Sequence, residues 1–302
     1  MKVTDVQVDT YLTGFARDYG YNTPDVFAAD IIAPRRQVAS SSYIYRSFGQ
    51  EGLQAEISDA KAPKGGVNSV DYDVTKATGT IMTRALKILV DDEEIQQAVD
   101  PIKPMEDAVT FLTEQLNLRR EIRVQTVANA TSNSSAVTDW DNASGTPLAD
   151  IATYKGAMLA SIGRLPTHLL AAPHIWEELA VAKGLTDKTM YQPFWNALDA
   201  TGRKISNMPI LGLTPVSAGA LYNSAQAGAA VTAAWVWGDA AYLIRVDGAT
   251  HGLPWAIQPY VNDMVVTRWR DDEIGGWWIK IEHKIGFKEV TTGAIYEIDD
   301  VT

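Results

Sequence analysis

Asp91-Asp92-Glu93-Glu94 is the densest group of oxygen ligands in the chain. A hard cation such as calcium would need carboxylates that converge. Consecutive acids at a helix start point in different directions, so they read as an N-cap and a solvated first turn. The acidic run Asp271-Asp272-Glu273 reads as a hairpin tip. The histidines, His168, His174, His251 and His283, stand in no metal spacing such as H-E-x-x-H. His168, in an apolar run, reads as a hydrogen-bonded core or boundary residue. Ser161-Ile162-Gly163 and Ser217-Ala218-Gly219 lack the leading Gly of a nucleophile elbow. Neither G-x-x-x-x-G-K-[ST] nor G-x-G-x-x-G occurs, and cysteine is absent, which excludes thiolate chemistry and disulfides. Trp235, Trp237, Trp277 and Trp278 sit in strand-like runs and read as packing rather than as a sugar platform. No catalytic, cofactor-binding or metal site is therefore expected, and the chain reads as a non-enzyme without cofactors.

The remaining charged clusters suit contacts between large surfaces. Lys61 and Lys64 flank a Lys-Ala-Pro-Lys-Gly-Gly turn that ends in Gly65 and Gly66. Arg119, Arg120 and Arg123 form a basic stretch near the end of a long amphipathic run. They read as complements to a helix dipole and as ion pairs to neighbouring subunits, ahead of contact with DNA. These seven residues are the candidate inter-subunit contacts. The net charge of −11 argues against sequence-specific nucleic-acid binding, though not against enclosing nucleic acid. No stretch approaches the roughly 20 apolar residues of a membrane span, and the N-terminus lacks the apolar core of a signal peptide.

The elements that must position these groups follow from periodicity. Residues 1–42 have no clear period and read as an arm that packs on other surfaces. From Phe48 to Thr78 large apolar residues are few, and Val70, Tyr72 and Val74 alternate after the Gly-Gly turn. That reads as an extended two-stranded arm, marginal alone in water, so it must be disordered or lie on another subunit. Residues 80–90 read as a strand. Pro104 opens a helix to about Ala128, some 35 Å long at about 1.5 Å per residue, with Met105, Ala108, Val109, Leu112 and Leu116 on one stripe and Leu118 and Ile122 beyond. The Asn-, Ser- and Thr-rich residues 129–147 read as a loop. Asp150 is expected to cap a helix over IATYKGAMLASIG. The α/β alternation then gives a compact second lobe, and residues after about Val261 are mostly β, with a hairpin between VVTRWR and GWWIKIEHKIGF.

Taken in order, the pieces resemble a tailed-bacteriophage major capsid protein: arm, extended loop, strand, DDEE helix, Pro-initiated spine helix, then Trp140, Pro147, Asp150 and Ile151, the strand-Pro-helix LLAAPHIWEEL, and a closing β run. The resemblance implies an α+β capsid fold. Its expected divisions are an N-terminal arm (1–42), an extended loop (43–80), a peripheral lobe (81–145 and 263–286, with the spine helix 104–128) and an axial lobe (146–262 and 287–302). It implies a shell subunit enclosing double-stranded DNA, found in the virion and assembled in the host cytoplasm. The implied partners are other copies in hexamers and pentamers, a portal, and packaged DNA held without sequence-specific contacts, with no membrane. Met1 leads directly into the arm, so a scaffolding protein is expected to be separate. Some relatives cross-link a loop Lys to an Asn near the late hairpin. Here no Asn follows Asn262, so Lys61, Lys64 or Lys76 is not expected to cross-link. Encapsulin nanocompartments, which share the fold, are the nearest alternative; a soluble α/β hydrolase is the alternative of another class.

Overall fold

A computed structural model describes residues 6–22, 26–47, 60–61, 63, 65, 67, 75–99, 101–142, 144–181, 211–225, 228, 230–247 and 253–301. The chain begins with β1 (Gln7–Val8), α1 (Thr10–Asn22), α2 (Ala29–Ile32), β2 (Arg35–Gln37) and β3 (Ser42–Ser47). Next come β4 (Thr75–Thr80), β5 (Arg84–Asp91), α3 (Asp92–Gln97), α4 (Pro104–Thr131) and β6 (Asn133–Ala136). Then follow α5 (Pro147–Ile162), β7 (His168–Ala171), α6 (Pro173–Val181), β8 (Thr214–Ser217), β9 (Leu221–Asn223), β10 (Ala233–Trp235) and β11 (Ala241–Ile244). The chain closes with β12 (Ala256–Asp271), β13 (Gly276–Ile285), β14 (Lys288–Glu289) and β15 (Ile295–Asp299).

Helix α4 is the axis of the subunit. It has 28 residues, about 42 Å at 1.5 Å per residue. Pro104 starts it, and Glu106 and Asp107 in its first turn complement the dipole. Its first half buries Ala108, Val109, Leu112 and Leu116 against Val266, Ile279 and Ile281. Its second half buries Val124 and Ala128 in a separate cluster around β7, β11 and β15. Strand β12 spans the same two clusters, with Ala256 in one and Met264 and Val266 in the other. One helix and one strand thus join both cores.

The first core is backed by a sheet ordered β1-β12-β13-β5, with β2 and β14 also on β12. The β12–β13 hairpin turns at Gly275, whose φ of +74° is a left-handed conformation that favours glycine. The second core packs on a mixed sheet ordered β6-β15-β11-β7-β8. Among the described residues, strands β3 and β4 pair only with each other, from Ser42 opposite Thr80 to Ser47 opposite Thr75.

Several expectations change. Within residues 1–42 lies α1, packed on α4 and β12 of its own subunit with Leu12 and Ala16 buried. Its stripe, Leu12, Phe15, Ala16 and Tyr19, has helical spacing, but Gly14, Arg17, Asp18 and Gly20 mask it. The polar run 129–147 contains the end of α4 and then β6, an outer strand that pairs in parallel with β15. Asp150 is not the cap of α5. Pro147 is already helical, and Asp150, one turn in, accepts from Trp140 Nε1 at 3.1 Å. The expected strand of Val70, Tyr72 and Val74 and the start of MPILGLTPV lie outside the described residues.

The junction of the elements is a buried carboxylate. Glu121 on α4 is fully buried. One oxygen accepts from Ala28 N at 3.0 Å and from Trp237 Nε1 at 2.7 Å; the other accepts from Ala29 N at 3.0 Å. It therefore satisfies donors at the start of α2 that the short helix cannot satisfy itself. Burial pushes its carboxyl pKa up, while the three donors and the Arg120 charge pull it back.

Glu121→Gln is expected to destabilise the subunit by about 2–4 kcal/mol, because the amide sets one donor against another in a dry site. Urea unfolding checks this. A change below about 0.5 kcal/mol would mean the junction relaxes freely.

Candidate assembly surfaces

The hairpin ribbon is the first surface. Tyr43 and Tyr45 lie on one face, rings 6.0 Å apart, and Lys288 Nζ sits 5.7 Å from the Tyr45 ring. Gly79 lies opposite Tyr43, and a Cβ there would collide with the tyrosine ring. On the other face Ile44 is 73% exposed. A two-stranded ribbon has no core of its own, so Ile44, which shares its face with Ser42, Arg46, Lys76, Thr78 and Thr80, is left exposed. Of the expected contacts at the tip, Lys61 and Gly65 are exposed. Lys64 and Gly66 lie outside the described residues.

The second surface surrounds the middle of α4. Arg119 is exposed, Arg123 is half-buried and Arg120 is 4% exposed. The three arginines do not stand at the helix end, since α4 continues to Thr131 and its last turn holds no basic residue. Arg120 turns inward and pairs with Asp30 Oδ2 at 2.8 Å, while Arg35 holds Asp30 Oδ1 at 2.8 Å. Its paired nitrogen is thus spent inside the subunit. Burial raises the Asp30 carboxyl pKa, but the two guanidiniums outweigh it and the net shift is downward.

Beside them β5 and β13 place Arg84 opposite His283. The helix-facing stripe of this sheet runs Ile279, Ile281, His283 on β13 and Ile88, Leu86, Arg84 on β5, so the apolar face turns cationic where it meets Arg120 and Arg123. Burial, then Arg84, Arg120 and Arg119, lower the Arg123 pKa to about 10. His283 is fully buried, and neither ring nitrogen has a partner among the described residues. No sequence motif marks this group: Arg84 and His283 are 199 positions apart, and only strand register brings them together.

The other singled-out residues have structural roles. Asp91 caps α3 by accepting from Glu93 N at 3.0 Å. His174 Nε2 lies 3.1 Å from Asp239 Oδ1, and its ring stacks on Trp235. His168 Nδ1 lies 2.8 Å from Thr167 Oγ1, and burial lowers its pKa. Trp237 is buried, whereas Trp277 and Trp278 are half-buried on opposite faces of the sheet. His251 lies outside the described residues. Among the described residues no group of three or more His, Asp or Glu is placed to hold a metal ion, and no helix is long and apolar enough to cross a membrane.

Comparison with solved structures then fixes the architecture. A phage-related protein from Bordetella bronchiseptica superposes with a TM-score of 0.71 at 18% identity, over 99% of this chain and 99% of that one. The encapsulin complex of Synechococcus elongatus gives 0.56 at 12% identity, over 89% of this chain and 88% of that one. The capsid of Cyanophage P-SCSP1u gives 0.56 at 10% identity, over 88% and 86%. The chain has the capsid fold of phages and encapsulins. No protein-family model and no curated protein matches the sequence. Helix α4 stands where the sequence predicts the long helix 104–128.

The cationic group predicts a pH dependence. His283 faces Arg84 on β5, Arg120 and Arg123 on α4, and Asp263 on β12. Burial first, then Arg120 and Arg123, lower its pKa to about 4. Unfolded, a histidine binds its proton near 6.5. Between those values the unfolded state holds more protons, so this contribution to stability is intact above about pH 6.5 and is lost as pH falls toward 4. About 2 kcal/mol should disappear between pH 7 and pH 5. Urea midpoints at both pH values check it, and His283→Asn should lose that much less than the parent protein.

Proposed function

We propose that the protein is the major subunit of an icosahedral shell that encloses the double-stranded DNA of a tailed bacteriophage. The observation that carries the reading is the fold shared with a cyanophage capsid over 88% of this chain. The ribbon supports it: among the described residues β3 and β4 pair with no other strand, and they expose Ile44, a side chain that a neighbour would cover. Shell formation needs no reaction. The working groups are surfaces repeated in every copy, whose small interface energies add over the particle.

In this reading the β5–α4–β13 unit is the peripheral lobe, and the β6–β15–β11–β7–β8 sheet belongs to an axial lobe around fivefold and sixfold axes. The partners are other copies in hexamers and pentamers, a separate scaffolding protein and a portal. Packaged DNA is held without sequence-specific contacts, which suits a chain of net charge −11. Assembly takes place in the host cytoplasm, and the mature location is the virion. An encapsulin-type compartment is the second reading, favoured by the match to an encapsulin over 89% of this chain. The contents of the particle, DNA or protein, separate the two.

Purified protein, with scaffold if needed, is expected to form closed particles or ring-shaped capsomers visible by negative stain. A species that stays monomeric at high concentration overturns the reading. Ile44→Asp should leave subunit stability within about 0.5 kcal/mol, as a substitution at a largely exposed site. The same change should abolish particles, because a covering neighbour would then bury a carboxylate in place of an apolar side chain. Sizing chromatography and circular dichroism on one preparation measure both effects.

A further inference from the structure

The cationic group around α4 has more positive charge than its own subunit answers. Residues 119 and 123 are one helical turn apart, as are 120 and 123, so these arginines crowd one another. Arg84 joins them from β5 and bears on both Arg123 and His283. Among the described residues, Arg84, Arg119 and Arg123 form no ion pair. Arg120 is 4% exposed, yet among the described residues its Nε and Nη1 have no hydrogen-bond partner, and neither does either nitrogen of the fully buried His283.

The nearby acids are committed elsewhere. Asp30 is divided between Arg35 and Arg120. Asp263 lies 3.6 Å from Arg35. Glu121 accepts from Ala28, Ala29 and Trp237. Buried donors of an arginine are rarely left without an acceptor, and crowded guanidiniums invite a carboxylate, which they bind bidentately.

We propose that Arg84, Arg119 and Arg123, backed by Arg120 and His283, form a carboxylate site filled by an Asp or Glu side chain of a second copy of this chain. The proposal rests on the shell reading above. Charge complementarity names the occupant: each copy carries 37 acidic against 26 basic residues, so a neighbour's surface is rich in carboxylates. A carboxylate answers guanidinium donors that the subunit leaves without an acceptor among the described residues, and the acidic balance of the chain disfavours a nucleic-acid backbone as the occupant.

The test uses assembled particles made from mixed 15N-labelled and unlabelled full-length subunits. Arg119→Lys and Arg123→Lys each supply an amine, which a water-soluble carbodiimide joins to a carboxylate in contact with it. Mass spectrometry of the digest should find the introduced lysine in amide linkage to an Asp or Glu, with mixed isotopes that mark two copies. Unassembled subunits should lack the product. Arg123→Glu should lower particle yield at least tenfold while the unassembled subunit keeps its circular dichroism and melting temperature. If Arg123→Glu disturbs folding, exposed Arg119→Glu takes its place, with the same loss expected.

Cross-links confined to one copy, or charge-reversed subunits that assemble at parental yield, overturn the site and leave the shell reading standing. Normal particles that lose only their nucleic acid overturn it in favour of a phosphate contact. Parental protein that never assembles overturns the shell reading and the site with it.

Discussion

The subunit depends on one buried carboxylate. Glu121 sits in the middle of the spine helix and takes three donors, from Ala28, Ala29 and the Trp237 indole. Those donors belong to the N-terminal segment and to the loop that precedes β11. Without that acceptor, the amides of the N-cap Ala28 and the first helical residue Ala29 and one indole would be buried unsatisfied, at a cost of about 1–3 kcal/mol each. The carboxylate in turn tolerates burial because the donors and the adjacent Arg120 charge answer it. Neighbouring polar groups extend the junction. Gln258 Nε2 donates to Ala29 O at 2.7 Å and Ala33 O at 2.9 Å, so β12 is tied to the same turn.

A second clamp lies at the far end of the spine helix. Tyr242 Oη lies 2.7 Å from Asn129 Oδ1 and 2.8 Å from Glu297 Oε1, and Ser132 Oγ donates to Glu297 Oε2 at 2.8 Å. Burial, then the Glu297 carboxylate, pushes the Tyr242 phenol pKa up, so it stays protonated as a donor. At the near end Tyr11 Oη donates to Glu106 Oε1 at 2.8 Å, and Tyr19 donates to Glu114. The helix is thus pinned along its length by side chains from α1, α2, β11 and β15. The helix contributes side chains to both cores, while the ribbon and the exposed side of the arginine cluster remain outside them.

The long, strongly patterned elements were legible in the sequence. Pro104 and the Met105–Leu116 stripe placed the spine helix, though its C-terminal end lies at Thr131 rather than about Ala128. Asp91 capped the helix expected of it. Alternation and the Asp-Asp-Glu-Ile-Gly turn placed the β12–β13 hairpin. The weaker elements were not legible. Helix α1 has a short apolar stripe diluted by two glycines and two charges, and its burial is conferred by α4 and β12. Strand β6 is Asn-Ser-Ser-Ala, four residues with no β preference, held only because β15 offers a free edge.

The sequence by itself determined an acidic, cysteine-free chain with no recognised catalytic motif, a long Pro-initiated helix and a late β-hairpin. Those properties are local, written in composition, period and turn chemistry. Only the tertiary structure decided which polar groups are buried and whom they face. Arg119, Arg120 and Arg123 read alike in the sequence, yet Arg119 is exposed, Arg120 is buried on Asp30, and Arg123 is crowded by Arg84 from a strand 39 positions away. Helical rotation sends adjacent residues to different faces, and register sets their neighbours. Burial and pairing are properties of the assembled layers, and no single stretch of residues contains them.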